Sequence, residues 1–508
     1  MSGFSLAVAW ALASPVGASP DEQAHIDYSW GTVTGQTVVG EHLVTIAGGR
    51  TATSVQVPQK LLQYPPPSCY MFHPETPVTQ CLPKLADNLQ IVQHSSYMSR
   101  YPPLFYAVEG VALRAGAAVN LSGPLVLYGA RLVAAVLSLL AVGWGVFLLS
   151  RRFPGIVVLL ATLLALPATA WFLAASVNPN GLEIAAAFLL AAGVLAFRLD
   201  HATGTRCVTA VLAIPIGTLL LAWTRPVSWV WASLILGLLL VPSAQKNGRS
   251  WKQRLPVRRL GAIAATATGL ALTSAMVWFL YALQLRASEE ARVNQGGWSG
   301  LNPVGRILLL LLHFGKMVND QVGNFGWLDT PLPPLALLVW VSIAAVAAAI
   351  WVVGRNPTVP QWSIGVVAGL GGLAALLDEY RGAWLWQGRY LLPVAAAVCV
   401  LAVPGLTAGL ERLSTLRSLI PWMLVALMTV NAVSVVWFLF RNVYGLKLGL
   451  GRLPSAPGPI GVPIGVPSWT PPLGQGVVLV LVSLALVCGV GAVWAFRAEP
   501  VSAEKAPH

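Results

Sequence analysis

Apolar residues run in long, nearly unbroken stretches along this chain, and polar residues collect in the gaps between them. About 20 consecutive apolar residues suffice to cross a bilayer core as a helix. Runs of that order lie near 125–149, 155–176, 182–197, 207–223, 227–243, 260–283, 334–353, 361–377, 390–408, 418–439 and 475–496. Another run at 4–18, FSLAVAWALASPVGA, is shorter. Its end resembles a small-residue cleavage site, but no Lys or Arg precedes it, so the charged start of a signal peptide is missing. We read it as a retained first span, with a misplaced start codon left open. The pattern predicts an all-α polytopic membrane protein, one bundle of about 12 helices over residues 1–498 with a short disordered tail at 499–508.

The loops orient the bundle. RRFP (Arg151, Arg152), RLDHATGTR (Arg198, Arg206), the stretch from Lys246 to Arg259, and ERLSTLR (Arg412, Arg417) are short and basic, which places them and both termini on the cytoplasmic side. The long segments 19–124, 284–333, 378–389 and 441–474 then lie outside. Two of them contain stretches that read as helices in the interface plane, 103–119 and 302–318, the second also compatible with a re-entrant helix. The last, 441–474, is rich in Pro and Gly and reads as an irregular connector.

Composition narrows the class. Of 508 residues, 56% are hydrophobic and 10% charged, and the mean hydropathy is +0.71; soluble domains carry about a quarter charged residues. The net charge of +13 could suggest nucleic acid as a partner. The basic residues instead sit where membrane topology puts them, and no zinc-finger, RRM or P-loop pattern is present, so nucleic acid is excluded. Of five cysteines, Cys207, Cys399 and Cys488 fall in apolar spans, whereas Cys69 and Cys81 share one outer segment and form either a disulfide or two free thiols.

Titratable groups concentrate just after the first run, in SPDEQAHIDYSW: Asp21, Glu22, His25 and Asp27. A helix beginning after Pro20 puts Glu22 and His25 on one face. A carboxylate here can serve as general base, or Asp21, Glu22 and His25 can hold a divalent cation; a solvated acidic turn is the plainer alternative. Arg225 lies between two apolar runs, and Arg389 begins one, with Tyr390 beside it and Arg381 eight residues before. Such arginines either anchor to headgroups or grip a lipid phosphate. Asn178, Asn180 and Glu183 open another run; Asn180 suits an N-cap and Glu183 has capping-box spacing. The polar, aromatic stretch NDQVGNFGWLD (319–329) suits a sugar as well as an ordinary loop.

These stretches resemble the GT-C glycosyltransferases, multi-pass enzymes that take a sugar from a polyprenyl-phosphate carrier. DEQAHIDYSW after a first span resembles their first outer loop, and RYPPLFYAVEG (100–110) a downstream Pro-Pro-Leu-aromatic-Tyr element. SVNPNGLE (176–183), TRPVSW (224–229) and WQGRYLLPV (386–394) are similar to a poorly characterised bacterial branch common in actinobacteria, although that branch often has Asp where this chain has Asn180. The resemblance implies a GT-C-like bundle with a long first outer loop and inverting transfer of a sugar to a cell-envelope glycan or lipid acceptor on the outer face of the plasma membrane. Asp21 would be the base, with Glu22 as alternate. Arg225, Arg389, Tyr390 and Arg381 would hold the donor phosphate, and His25, Tyr101, Asn178, Asn180 and Gln387 would line the substrate. No cofactor is required beyond the open question of a divalent cation. A transporter or carrier flippase, and a non-catalytic assembly subunit, are the competing classes.

Overall fold

The computed structural model describes residues 2–37, 43–46, 50–81, 90–98, 100–199, 205–241, 258–293, 302–354, 360–380, 387–446 and 469–497. Helices dominate. Those in the bundle are α1 (Ser2–Ala13), α4 (Gly123–Ser150), α5 (Gly155–Ala165), α6 (Ala168–Ala174), α7 (Pro179–Leu199), α8 (Thr205–Ala222), α9 (Ser228–Gly237), α10 (Arg258–Val293), α12 (Pro334–Val353), α13 (Gln361–Tyr380), α14 (Leu392–Leu401), α15 (Val403–Arg412), α16 (Ile420–Tyr444) and α17 (Gly474–Arg497). Between them lie α2 (Glu22–Val33), α3 (Pro103–Ala118) and α11 (Pro303–Gly323).

Among the described residues, six helices are long and apolar enough to cross a membrane, and up to eight if each bent pair makes one span. The pairs are α5–α6, bent by 74°, and α14–α15, bent by 46°. Pro167 and Pro404 explain the breaks: each ring removes an N–H and clashes with the preceding turn. The other apolar runs at 4–18, 207–223, 227–243 and 361–377 form helices too short to pass that test alone. Most of α7 is buried, as expected of a helix apolar on every side. Small residues let its neighbours close in: a Cβ on Gly217 of α8 would come within 3.0 Å of the Leu190 backbone.

The first long segment corrects the all-α expectation. It folds an antiparallel sheet in the order β1 (Leu43–Ile46), β2 (Arg50–Pro58), β3 (Ile91–Ser96). Val55 and Val57 are buried while Gln56 between them is exposed, the period-two pattern of a half-buried strand. Cys69 and Cys81 form a disulfide, with Cα atoms 5.9 Å apart, so the free-thiol alternative falls. Cys399 and Cys488 are free and partly exposed.

Both stretches expected to lie as non-spanning helices are helical. α3 packs along α2, and α11 exposes Val304, Ile307, Leu308, Leu312 and Phe314. A two-residue hairpin follows α11, β4 (Asn324–Phe325) and β5 (Thr330–Pro331). Phe325 enters an aromatic cluster with Trp10, Phe172 and Phe438 that ties this hairpin to α1, α6 and α16.

Candidate active site

The connection between α1 and α2 displays one carboxylate and hides its neighbour. Asp21 is the N-cap residue of α2 and sits in the left-handed region, φ 62° and ψ 5°. That backbone is uncommon outside glycine, though Asp tolerates it better than most. Neighbours hold it on both sides. Asn178 Nδ2 donates to the Pro20 carbonyl at 3.0 Å, and Glu22 anchors the next residue.

Glu22 is fully buried. Its Oε1 accepts from Arg131 Nε (2.8 Å) and the Val177 amide (3.0 Å), and its Oε2 accepts from Arg131 Nη2 (2.6 Å) and the Gly17 amide (2.7 Å). Arg131 also donates to the Ala11, Ser14 and Pro15 carbonyls, which satisfies carbonyls left open at the end of α1. The expectation of Glu22 as alternate base or metal ligand is therefore corrected: both oxygens are committed. The set Asp21, Glu22 and His25 does not fit a divalent cation, because Glu22 faces Arg131 and His25 faces Tyr106.

Asp21 remains available. Its side chain is 31% exposed. Its Oδ1 accepts from the Tyr97 hydroxyl at 2.6 Å, and its Oδ2 lies 3.8 Å from Arg389 Nη2. Arg389 arrives on a 3-10 turn, Gly388–Leu391, just before α14. Gly388 permits this: a Cβ there would lie 2.0 Å from the Met317 carbonyl of α11. The Arg389 guanidinium is buried, yet its Nε and Nη1 find no hydrogen-bond partner among the described residues.

Arg225 joins the same cluster. Its guanidinium lies 4.3 Å from the Tyr390 ring centre and 5.9 Å from that of Tyr101. Glu183 Oε2 is 3.3 Å from Arg225 Nη1, and Glu183 Oε1 accepts from the Ser228 hydroxyl at 2.6 Å. This corrects the capping-box reading. Asn178, not Asn180, accepts from the helix amide, through Oδ1 to Asn180 N at 3.0 Å, and Glu183 turns inward to the arginine. Asn180 is buried and donates to Asn178 Oδ1 at 2.8 Å. Gln387 opens the Arg389 turn, and its buried Oε1 finds no partner among the described residues. Arg381 lies outside the described residues.

His25 sits behind Asp21, with Nδ1 2.9 Å from the Tyr106 hydroxyl and the two rings stacked. Burial drives its pKa down to about 3; Asp21 opposes the shift, and Arg225 and Arg389 add to it. The imidazole is thus a neutral hydrogen-bonding group within the electrostatic reach of all three charges.

An apolar groove of about 480 Å³ runs along α10 beside the end of α8, lined by Trp223, Leu270, Ser274, Val277, Trp278 and Tyr281. Trp223 is two residues from Arg225, and Trp278 Nε1 donates to the carbonyl of Arg100, next to Tyr101. The groove therefore ends beside the charged cluster.

Sequence reasoning passed over Tyr97, Arg131 and the partnership of Glu183 with Arg225. A buried arginine in an otherwise uncharged run, GPLVLYGARLVAAV, is the one signal that could have flagged Arg131.

The family model of predicted membrane proteins known as DUF2142 matches residues 4–398, and this chain belongs to that family. Among solved structures, it is similar to ArnT from Cupriavidus metallidurans bound to undecaprenyl phosphate, at 15% identity over 97% of this chain and 75% of that one, with a TM-score of 0.38. It is also similar to the oligosaccharyltransferase of Archaeoglobus fulgidus in complex with zinc and sulfate, at 14% identity over 69% and 45%, TM-score 0.32. The apo form of the same ArnT gives 15% identity over 81% and 77%, TM-score 0.29. None of the curated proteins matches the chain by sequence.

Proposed function

We propose that this protein is a GT-C-type membrane glycosyltransferase that moves a sugar from a polyprenyl-phosphate donor to a cell-envelope acceptor, with inversion, on the extracytoplasmic face. The observation that carries the reading is the pairing of a partly exposed carboxylate, Asp21, with a buried guanidinium 3.8 Å away whose Nε and Nη1 lack partners among the described residues. Buried donors without acceptors are costly, so an arginine in this state is suited to an anion that arrives with the substrate.

In the proposed reaction Asp21 takes the proton of the acceptor hydroxyl. The hydroxyl oxygen forms the new bond to the sugar C1 as the bond from C1 to the carrier phosphate breaks. Negative charge grows on that phosphate, where Arg389 receives it. Arg225 stands behind, its charge partly balanced by Glu183, and fixes Tyr390 by a cation–π contact. The donor chain reaches the cluster laterally through the groove on α10. General-base assistance supplies roughly 10²–10⁴ in rate, and positioning and phosphate stabilisation the remainder. The disulfide favours an oxidising outer compartment for this face. In this reading all twelve apolar segments belong to one membrane domain. A transporter draws less support, because Asp21, Arg225 and Arg389 converge in one cluster.

Asp21→Asn tests the reading. Transfer from a polyprenyl-phosphate sugar should fall by at least about 10² with expression and thermal stability unchanged. A fully active variant removes Asp21 from the mechanism.

A further inference from the structure

The loop closed by Cys69 and Cys81 carries Phe72, a residue 62% exposed with φ at 63°. A left-handed backbone is an outlier for a bulky side chain and persists only where the surroundings impose it. Two buried groups impose it here. Asp329 Oδ2 accepts from the Phe72 amide at 3.0 Å and pairs with Arg441 at 3.3 Å. Arg441, near the end of α16, donates to the carbonyls of Tyr70 (2.8 Å), His73 (3.2 Å) and Thr76 (3.2 Å). One guanidinium grips the inner side of the loop backbone, so Phe72, His73 and Glu75 point their side chains outward.

His73 Nδ1 and Glu75 Oε1 lie 3.3 Å apart, and both side chains are more than half exposed. On the other side of Phe72 stands Trp327, with ring centres 6.3 Å apart and planes at 68°. Trp327 belongs to the turn between β4 and β5, in which Gly326 and Leu328 also have positive φ. Its Nε1 donates to the Gly17 carbonyl at 3.2 Å, in the loop that leads to Asp21. The exposed ring therefore lies against a side chain that is hydrogen-bonded to the loop leading to the proposed base.

We propose that Phe72, Trp327 and the His73–Glu75 pair form a carbohydrate subsite that seats a pyranose ring of the acceptor. A pyranose is amphipathic, with C–H groups on its face and hydroxyls on its rim. The C–H face suits the negative face of Phe72, and the rim hydroxyls suit the imidazole and carboxylate alongside. An interfacial anchor is an amphipathic helix with Lys or Arg on its polar face, which this disulfide-closed loop is not, and a single ring is too small a patch for a stable protein partner. The assignment of this sugar to the acceptor rests on the transferase reading; the binding itself does not.

The test is saturation-transfer NMR on the full chain in lipid nanodiscs, with maltotriose, α-1,6-mannotriose and β-1,4-galactotriose as probes. At least one should bind wild type. Phe72→Gly, which suits the positive φ and so preserves the loop, should weaken that binding roughly tenfold, the worth of one good ring contact. Phe72→Tyr should retain it, and so should Asp21→Asn. No transfer to any of the three, or equal binding by Phe72→Gly, overturns the proposal. Ring-dependent binding in a protein that shows no glycosyl transfer leaves the subsite standing and defeats the transferase reading alone.

Discussion

Arg389 Nη2 lies 3.8 Å from Asp21 Oδ2, although one residue sits on the turn before α14 and the other follows α1. The distance is too long for a direct hydrogen bond, so the two are held as neighbours rather than locked together. That spacing suits a site in which a substrate anion displaces part of the pairing.

If Arg389 receives the leaving phosphate, its fork geometry matters as well as its charge. Arg389→Gln should reduce turnover by about 10²–10³, the usual cost of one transition-state donor. Arg389→Lys should recover part of that loss. Initial rates with a polyprenyl-phosphate sugar, read against inhibition by free polyprenyl phosphate, check both; an unimpaired Gln variant contradicts the role.

Adjacent carboxylates should behave as opposites. Asp21→Asn should abolish transfer and leave thermal stability intact. Glu22→Gln leaves Arg131 buried and uncompensated, which should cost about 3–5 kcal/mol. Thermal unfolding of both variants in the same detergent separates them, and a stable Glu22→Gln protein would show that the buried pair is not needed.

The pH dependence of stability should carry the mark of His25. The folded protein keeps this imidazole neutral down to about pH 3, against an ordinary value of 6.5. Between these values the unfolded chain binds the extra proton, so the contribution is complete above 6.5 and is lost as pH falls toward 3. Replacing His25 by Gln should flatten the decline in thermal midpoint below pH 6.5. His94, raised by its hydrogen bond to Asp27, contributes in the opposite sense, below 6.5 and fading as pH rises through its raised value; it is common to both proteins and cancels. Parallel curves for wild type and variant would contradict the assignment.

The disulfide spans a separation of 12 residues, and a loop of that size is worth roughly 3 kcal/mol. The double change Cys69→Ser, Cys81→Ser, or treatment with reductant, should lower thermal stability accordingly. No change on reduction would mean that Arg441 alone holds the loop.

The apolar helices were legible because long apolar runs have one stable outcome in lipid; how many of them cross was not, since the described residues give six spans, or up to eight with the bent pairs, against about twelve expected. That Asp21, Arg225 and Arg389 merit notice was legible for a related reason, a charge at the end of an apolar run being costly, and the fold brings the three into one cluster. The roles of Glu22 and Glu183 were not. Consecutive residues at a helix start point in different directions, so adjacency in sequence did not reveal that Asp21 faces the opening and Glu22 faces Arg131. Capping-box spacing equally describes an inward-facing helix position, and only the packing of α7 against the Arg225 turn decides between them. The sheet was missed because its signal is a short alternation, Val55-Gln56-Val57, beside much longer apolar runs. Tyr97 carries no signal of its own; the strand that ends at Ser96 delivers it.

The most direct measurement is a cryo-EM map of the protein in nanodiscs loaded with undecaprenyl phosphate. The phosphate should lie about 3 Å from Nε and Nη1 of Arg389, beside Asp21, with the chain leaving along Trp223 and Trp278. Phosphate density bound elsewhere, with Arg389 still turned to Asp21 alone, would contradict the account.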